Sequence, residues 1–486
     1  MSELEQKIVA LQQTSIALEP SEQERTNYFD QIEKYTNNFI NSLATTNAFN
    51  QTKIDTNAFS IGKKNKSLAE IIKTYENEVA NKGINAASGK HLGYIPGGGI
   101  FSASLGDLMV GVNNEYAGMH FASPGGVAME KELIRWMASI FGYPETTIGN
   151  LTSGGSIANL IALTSARDKH NIKGSKIEKS VIYLSEQTHH CIQKALRIIG
   201  LEDIIIRYVK IDLHSKMITA DLSNHIENDM SLGLSPFLVV ASAGTTDTGA
   251  IDPLEDIGKI CKTHSLWFHV DAAYGGFFML LDNKKQSFKG IELSDSLVVD
   301  PHKGLFLPYG IGAVLIKDKE AVFHSHHQTA NYMQDALQEG SPINPADVSP
   351  ELTKHFRAMR MWLPLQLHGI KPFKACLEEK LYLLQYMRSK LDKLGFSLGP
   401  EPELSVSYFW FETKATDRDQ FNNKLLEYLH EDGSSFLSST MIDEQLVIRL
   451  AILSFRTKLK EADQALEMIE RCLRKTELFF QKNLKL

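Results

Sequence analysis

The apolar positions of the chain fall into three successive patterns. Over residues 1 to about 90 they recur at helical spacing, as at Ile32, Tyr35, Ile40 and Leu43, and glycine is scarce. Such spacing predicts amphipathic helices that need a surface to cover. From His91 the run His91-Leu92-Gly93-Tyr94-Ile95-Pro96-Gly97-Gly98-Gly99 breaks the pattern and predicts a loop. Farther on, short continuous apolar runs take over at Ser180 to Leu184, Ile204 to Val209, Phe237 to Ala241, Leu266 to Val270, Ser296 to Val299 and Gly312 to Ile316. They alternate with helical spacing, as in Leu254 to Lys262, which predicts a βαβ series and a mostly parallel sheet. After about residue 372 a long helix (Phe373 to Leu394), strands around Val406 to Phe411 and Leu446 to Ile452, and a helix near Phe421 to Leu429 predict a smaller α/β unit. The expected division is an N-terminal helical segment (1–100), a large α/β domain (101–371) and a small C-terminal domain (372–486).

In a sheet of this kind ligands bind beyond the carboxyl ends of the strands. The run Ser296 to Val299 stops at Asp300-Pro301-His302-Lys303-Gly304. A lysine at the mouth of a buried strand is partly desolvated, which favours its neutral amine and makes it a candidate for imine formation; a solvated loop lysine is the alternative. Earlier, Trp267-Phe268-His269-Val270 ends at Asp271, followed by Ala272-Ala273-Tyr274-Gly275-Gly276, where small residues allow close approach to the backbone. A lysine for an imine and a carboxylate to keep a pyridine nitrogen protonated are the two groups that pyridoxal phosphate requires of a protein. Leu151-Thr152-Ser153-Gly154-Gly155-Ser156 precedes an apolar helical run, so hydroxyls and free N–H groups collect at a helix start, either as an anion site or as a simple cap. Beyond the run 180–184 lies the pair His189-His190; adjacent histidines point apart, and no further zinc ligands lie nearby. No metal site is expected.

His-Val-Asp-Ala-Ala at 269–273, followed by Pro-His-Lys at 301–303, resembles the group II pyridoxal-phosphate-dependent amino acid decarboxylases, which include the aromatic-L-amino-acid, glutamate and histidine decarboxylases. The likeness covers roughly residues 80 to 460 and is densest from 151 to 310. It implies an α/β large domain of the aminotransferase type (fold type I), with the N-terminal helices and the small C-terminal domain packed around it. It also implies a homodimer with intertwined N-terminal helices and an active site at the subunit interface. For the site it implies Lys303 as the Schiff-base residue, Asp271 at the cofactor ring nitrogen and His189 stacked on the ring, facing the substrate carboxylate. Gly155 and Ser156 would cradle the phosphate, and Thr246 of the Gly-Thr-Thr turn and Ala273 would lie near the ring. Ser296, Asp300 and His302 would add hydrogen bonds to the phosphate. Several relatives carry Asn in place of Asp300, and a structural Asp-Pro turn is the alternative there. Tyr94, Ile95 and Pro96 would face the substrate. Arg449 matches an arginine that grips the substrate carboxylate in glutamate decarboxylases, the alternative being a salt bridge within the small domain.

The implied reaction is decarboxylation of an L-amino acid to its amine and CO2. The apolar wall Tyr94 to Pro96 favours an aromatic substrate, and an acidic or other one stays open. Animal aromatic-amino-acid decarboxylases carry in a mobile loop a tyrosine that returns a proton to the substrate α-carbon. In the corresponding loop, which begins near Tyr332, no tyrosine or phenylalanine falls between residues 333 and 355, which opens an aldehyde-forming outcome. Other rivals are a pyridoxal enzyme of another reaction type and a catalytically silent scaffold on the same fold.

Composition narrows the partners. A net charge of -7 argues against nucleic acid or an anionic membrane, and 43% hydrophobic with 22% charged residues is ordinary for a soluble protein. No apolar run approaches the roughly 20 residues that span a bilayer. Four cysteines without paired spacing, together with an acidic, polar N-terminus, lead to the expectation of a cytoplasmic protein with reduced thiols.

Overall fold

The computed structural model describes residues 1–62, 64–327 and 342–483. Helices α1 (Glu3–Ser15) and α2 (Glu22–Ser42) each open on a capping box, Ser2 with Glu5 and Ser21 with Glu24, in which side chain and backbone satisfy each other's free groups. Neither helix buries a residue. Strands β1 (Phe49–Asn50) and β2 (Gly83–Ile84) pair antiparallel on either side of α3 (Leu68–Tyr75). Helices α4 (Phe101–Asn113) and α5 (Pro124–Ile140) lead into the main sheet. Ser123 precedes α5 but gives its hydroxyl to Glu115 Oε2 (2.8 Å) and does not cap the helix.

The main sheet is built in the order β3 (Ile148–Thr152), α6 (Gly155–Lys169), β4 (Ser180–Leu184), α7 (Cys191–Ile198), β5 (Ile205–Tyr208), α8 (Thr219–Ser231), β6 (Ser235–Ser242), α9 (Leu254–His264), β7 (Trp267–Asp271), β8 (Ser296–Val299), α10 (Pro301–Gly304), β9 (Gly312–Ile316) and α11 (Lys319–His326). Its seven strands lie in the order β3-β9-β8-β7-β6-β4-β5. Only β9 runs antiparallel to its neighbours, so the carboxyl ends of the other six share one edge. Successive residues feed opposite cores: Val181, Tyr183, Val239 and Ala241 enter one, and Ile182, Leu184, Leu238 and Val240 the other. The continuous apolar runs therefore have this cause: both faces of the sheet are buried.

Helices α12 (Ala358–His368) and α13 (Lys371–Lys393) lead to a four-stranded antiparallel sheet of β10 (Ser397–Leu398), β11 (Val406–Trp410), β12 (Ser438–Ile442) and β13 (Gln445–Ala451). With α14 (Arg418–Asp432) and α15 (Leu459–Asn483) it encloses a core of its own around Phe409, Phe421, Ile448 and Ile469. The loop at residues 91–99 seals the joint. His91 forms a bridge with Phe436, and a side chain on Gly97 would strike the carbonyl oxygen of His302 at 2.0 Å. The glycine run thus serves backbone contact, not phosphate binding. The loop expectation that includes Tyr332 lies outside the described residues over 328–341.

Behind β3, the fully buried Lys354 ammonium lies 2.7 Å from Glu130 Oε1 and 3.0 Å from Asn150 Oδ1, while Glu130 Oε1 also accepts the Leu151 N–H. Removing one partner of such a pair strands a buried charge, so Lys354→Met is expected to lower stability by about 3–5 kcal/mol in urea denaturation. Lys354→Met with Glu130→Leu should recover part of that loss; a double variant no more stable than Lys354→Met would refute this account.

Candidate active site

A cavity of about 360 Å³ opens at the carboxyl edge of the main sheet. Each strand end delivers its share of the wall. Gly154, Gly155 and Ser156 follow β3, Gln187 and His189 follow β4, and Thr245 and Thr246 follow β6. Asp271 and Ala273 come from the end of β7, and Asp300, His302 and Lys303 from the turn after β8.

Lys303 Nζ lies 3.0 Å from Asp300 Oδ2. Burial opposes its charge, but the carboxylates of Asp300 and Asp271 outweigh burial and hold the ammonium above the ordinary lysine range. The expectation of a neutral amine therefore fails for this state, because desolvation is answered by charge pairing. Asp300 is buried; its Oδ2 is also 3.7 Å from His302 Nε2, while its Oδ1 has no hydrogen-bond partner among the described residues. Asp300 is the close ion-pair partner of Lys303. His302 turns Nδ1 to the Ile311 carbonyl (2.5 Å). His189 accepts the Cys191 N–H at Nδ1 (3.3 Å), and burial, partly offset by Asp271, lowers its pKa.

Asp271 accepts hydrogen bonds at both oxygens, from the Ala273 N–H to Oδ1 (3.0 Å) and from Asn159 Nδ2 to Oδ2 (3.0 Å). Behind Asn159 stands His269, whose Nε2 is 2.7 Å from Asn159 Oδ1 and whose Nδ1 is 2.8 Å from Ser296 Oγ. Ser296 Oγ also accepts Trp267 Nε1–H (2.8 Å). Ser296 is thus no part of the cavity wall. It sits at the amino end of β8, opposite His269 in register. Asn159 was missed in the sequence reading, although its place three residues after Ser156 on α6 puts both on one helix side.

The residues expected to face the substrate do not line the cavity either. Ile95 and Pro96 are buried in packing, while Tyr94 is 57% exposed with its ring against Phe436. Arg449 is spent on backbone: its guanidinium donates to the carbonyls of Thr246 and Asp247 and to Ser438 Oγ. The expected salt bridge within the small domain is not formed: the acceptors of Arg449 belong mainly to the turn after β6, where the Asp247 carboxylate also lies 3.8 Å from Nε.

These residues fit pyridoxal phosphate. The opening turn of α6 presents Gly155 and Ser156 with the free N–H groups of a helix start. A Cβ at Gly155 would meet Asp300 Oδ2 at 3.0 Å and fill that cradle. Lys303 offers the amine, and Asp271, already an acceptor at both oxygens, offers a carboxylate for a ring N–H. The sequence model described as the pyridoxal-dependent decarboxylase conserved domain matches residues 51–412, more than half of the chain. The chain belongs to the pyridoxal-dependent decarboxylase family. It is similar to the aromatic-L-amino-acid decarboxylase of Bacillus atrophaeus, with 30% identity over 418 residues, 85% of this chain and 86% of the relative. An acidic amino acid decarboxylase of Xenopus tropicalis is 32% identical over 298 residues, 60% of this chain and 58% of the relative. The fold matches the crystal structure of Catharanthus roseus tryptophan decarboxylase in complex with L-tryptophan with a TM-score of 0.86 at 19% identity, over 94% of this chain and 99% of that one. The family's enzymes are carboxy-lyases that use pyridoxal phosphate, and the large domain of this decarboxylase is the fold type I α/β expected from its sequence. No helix among the described residues is long and apolar enough to cross a membrane.

Two predictions follow from these charges. Asp300→Asn removes the carboxylate that raises Lys303, so cofactor loading, followed by its absorbance, should reach its half-maximal rate at lower pH than in the parent. An unshifted profile would refute the role of the pair. The second concerns acid stability. Burial depresses both His91, without a ring partner, and His269 to about 4 from an ordinary 6.5. The unfolded chain takes up these protons first as pH falls, so stability is complete above pH 6.5 and drains as pH drops toward 4. Between pH 7 and pH 5 each histidine should remove about 2 kcal/mol. His91→Phe should flatten the dependence measured by urea denaturation, and an unchanged slope would contradict it.

Proposed function

We propose that this decarboxylase converts an aromatic L-amino acid to its amine and CO2, acting as a cytoplasmic homodimer. The observation that carries the chemistry is the meeting of Lys303 and Asp271 in one cavity. For the side chain of the substrate, the cavity wall among the described residues contains no arginine; Lys303 is its cation, and burial pushes His189 and His302 toward the neutral form. Arg449, the guanidinium nearest in sequence logic to an acidic substrate, is already occupied by main-chain carbonyls. An aromatic side chain makes no demand for such a cation.

When bound, the cofactor supplies an aldehyde that captures an amine and a pyridinium ring that draws electrons from the bond to the substrate carboxylate. Lys303 holds the cofactor between turnovers and yields its place to the substrate amine. Asp300, 3.0 Å from Lys303 Nζ, is placed to take up the ammonium proton. With the cofactor bound, Asp271 would face the ring nitrogen and favour its protonated form, His189, Thr246 and Ala273 would flank the ring, and Gly155 and Ser156 would hold the phosphate. His302, fixed through Nδ1 to Ile311, completes the wall beside Lys303. The first 100 residues serve as the dimerisation segment. Support comes from α1 and α2, which bury nothing yet display Leu4, Leu11, Phe29 and Ile32, and from Phe101, Leu105 and Leu108 exposed on α4. The four cysteines are free thiols, which suits a reducing compartment.

A second outcome is favoured by one observation, the absence of tyrosine and phenylalanine from 333 to 355. Once CO2 leaves, a proton must reach the substrate α-carbon, and without that donor oxygen can intervene. The products then become aldehyde, ammonia and hydrogen peroxide. The holoenzyme should be incubated with phenylalanine, tyrosine, tryptophan, glutamate and cysteine sulfinate while CO2, amine, aldehyde and oxygen are followed together. CO2 with stoichiometric amine from an aromatic substrate is expected. Turnover of glutamate or cysteine sulfinate alone would overturn the substrate reading, and aldehyde with oxygen uptake would select the second outcome. In single turnovers Asp271→Asn should slow CO2 release by about 100-fold or more, ~2.7 kcal/mol in barrier; an equal rate would remove Asp271 from the mechanism.

A further inference from the structure

Four buried residues behind Asp271 are hydrogen-bonded in series, and the far end of the series, His269, Ser296 and Trp267, lies outside the cavity wall. Asn159, His269 and Ser296 are completely buried and Trp267 is 4% exposed. The two ends have fixed chemistry. An indole N–H can only donate, and a carboxylate paired with a pyridinium N–H can only accept. Working inward, Asn159 must turn its amide nitrogen to Asp271 Oδ2 (3.0 Å), and the same nitrogen reaches Cys191 Sγ (3.3 Å). Asn159 Oδ1 then faces His269 Nε2 at 2.7 Å as an acceptor, so that nitrogen carries the hydrogen. His269 Nδ1 is left bare and must accept from the Ser296 hydroxyl at 2.8 Å. Ser296 Oγ in turn accepts from Trp267 Nε1–H at 2.8 Å. No group in the series can be reversed without setting two donors or two acceptors against each other.

We infer that Trp267, Ser296, His269 and Asn159 form a one-directional hydrogen-bond relay that ends on Asp271 and keeps the shared proton on the cofactor ring nitrogen rather than on the carboxylate. The inference rests on the reading that Asp271 faces that nitrogen. A carboxylate with two strong donors competes weakly for a further proton, and chains of hydrogen bonds polarise one another in a dry interior. The Ala273 N–H is one donor and comes from the backbone. Asn159 is the other, and the rest of the series fixes its orientation. Asn159, His269 and Ser296 are positioning residues that act through Asp271. The charged and titratable groups around His269 agree with its neutral form. Asp271 is the carboxylate that favours its charge, Ser296 and Asn159 are neutral, and burial prevails, depressing the imidazole to about 4.

The test uses holoenzyme reconstituted with pyridoxal phosphate carrying 15N in its ring. In the parent, the ring nitrogen should resonate as a protonated pyridine, and 15N-histidine spectra should show His269 as the neutral Nε2–H tautomer from pH 5.5 to 9. The His269 signal is assigned by its loss in His269→Gln. Asn159→Ala should move the ring resonance toward unprotonated pyridine and slow single-turnover decarboxylation by about 10- to 100-fold, as loss of a charge-assisted hydrogen bond does. Ser296→Ala, three links from Asp271 and four from the ring, should move the resonance the same way by less, a result that a merely structural serine would not give. Asp271→Asn separates the two levels of the argument. If it shifts the ring resonance while Asn159→Ala and Ser296→Ala leave it in place, the relay is overturned and the role of Asp271 stands. If Asp271→Asn leaves the resonance unchanged, both fall. An Nδ1–H tautomer or an imidazolium at His269 would overturn the direction of the relay in the unmodified protein, whatever the variants do.

Discussion

A partly buried ammonium held by two carboxylates is the constraint on which the site depends. Removing such charges from water costs several kcal/mol per ion and is repaid only by close geometry. Lys303 meets that condition through Asp300 at 3.0 Å, with Asp271 contributing from the next strand. Bringing these groups together requires β7 and β8 to be parallel neighbours that end at one edge. It also requires backbone with no side chains around Asp300. A Cβ on Gly312 would lie 2.6 Å from Asp300 Oδ1, and one on Gly155 3.0 Å from Oδ2. The antiparallel β9 enters at this point, so the one strand that breaks the parallel pattern supplies the glycine wall of the ion pair.

The small domain participates from a distance. Arg449 on β13 reaches the carbonyls of Thr246 and Asp247 on the turn after β6, and Arg456 donates to the carbonyls of Ala87 and Gly98. Gly97 meanwhile lies against the His302 carbonyl, next to Lys303. Two main-chain segments that line the cavity, the turns after β6 and β8, are thus held by a guanidinium group and by a glycine contact, while Arg456 ties down the neighbouring loop. Guanidinium suits this work because its five donors satisfy several carbonyls at once.

The fold was legible wherever burial on both faces wrote itself as an apolar run. The expected strands at 180–184 and 312–316 coincide with β4 and β9, and the helix read from Leu254 to Lys262 runs on to His264. Lys303 and Asp271 were legible because each interrupts such a run at its carboxyl end. Ser296 was misplaced because nearness in sequence to Lys303 was taken for nearness in space. A strand advances about 3.3 Å per residue, which sets Ser296 some ~13 Å along the chain from the level of Asp300. The arginine within β13 was recognisable as a buried charge in need of partners, but those partners are carbonyls some two hundred positions away, which no local pattern encodes. Asn159 and His269 gave no signal of their own, since a buried polar residue declares its role only once its neighbours are known.

The two acids of the site carry their charge by different means. Asp271 is supplied with two hydrogen-bond donors, one from the backbone and one from Asn159, neither of which is ionic. It also acts on Lys303 through its charge, helping to hold the ammonium proton there. Asp300 has Lys303 as its close cationic partner, His302 lies at 3.7 Å, and its Oδ1 is bare. Loss of the ammonium proton would leave this buried carboxylate without its close countercharge, which is costly. Lys303 and Asp300 thus form the close ion pair, while Asp271 acts on Lys303 from farther off and is held in place by neutral donors. This division suits a site in which one proton must stay where it is throughout turnover and another must come and go.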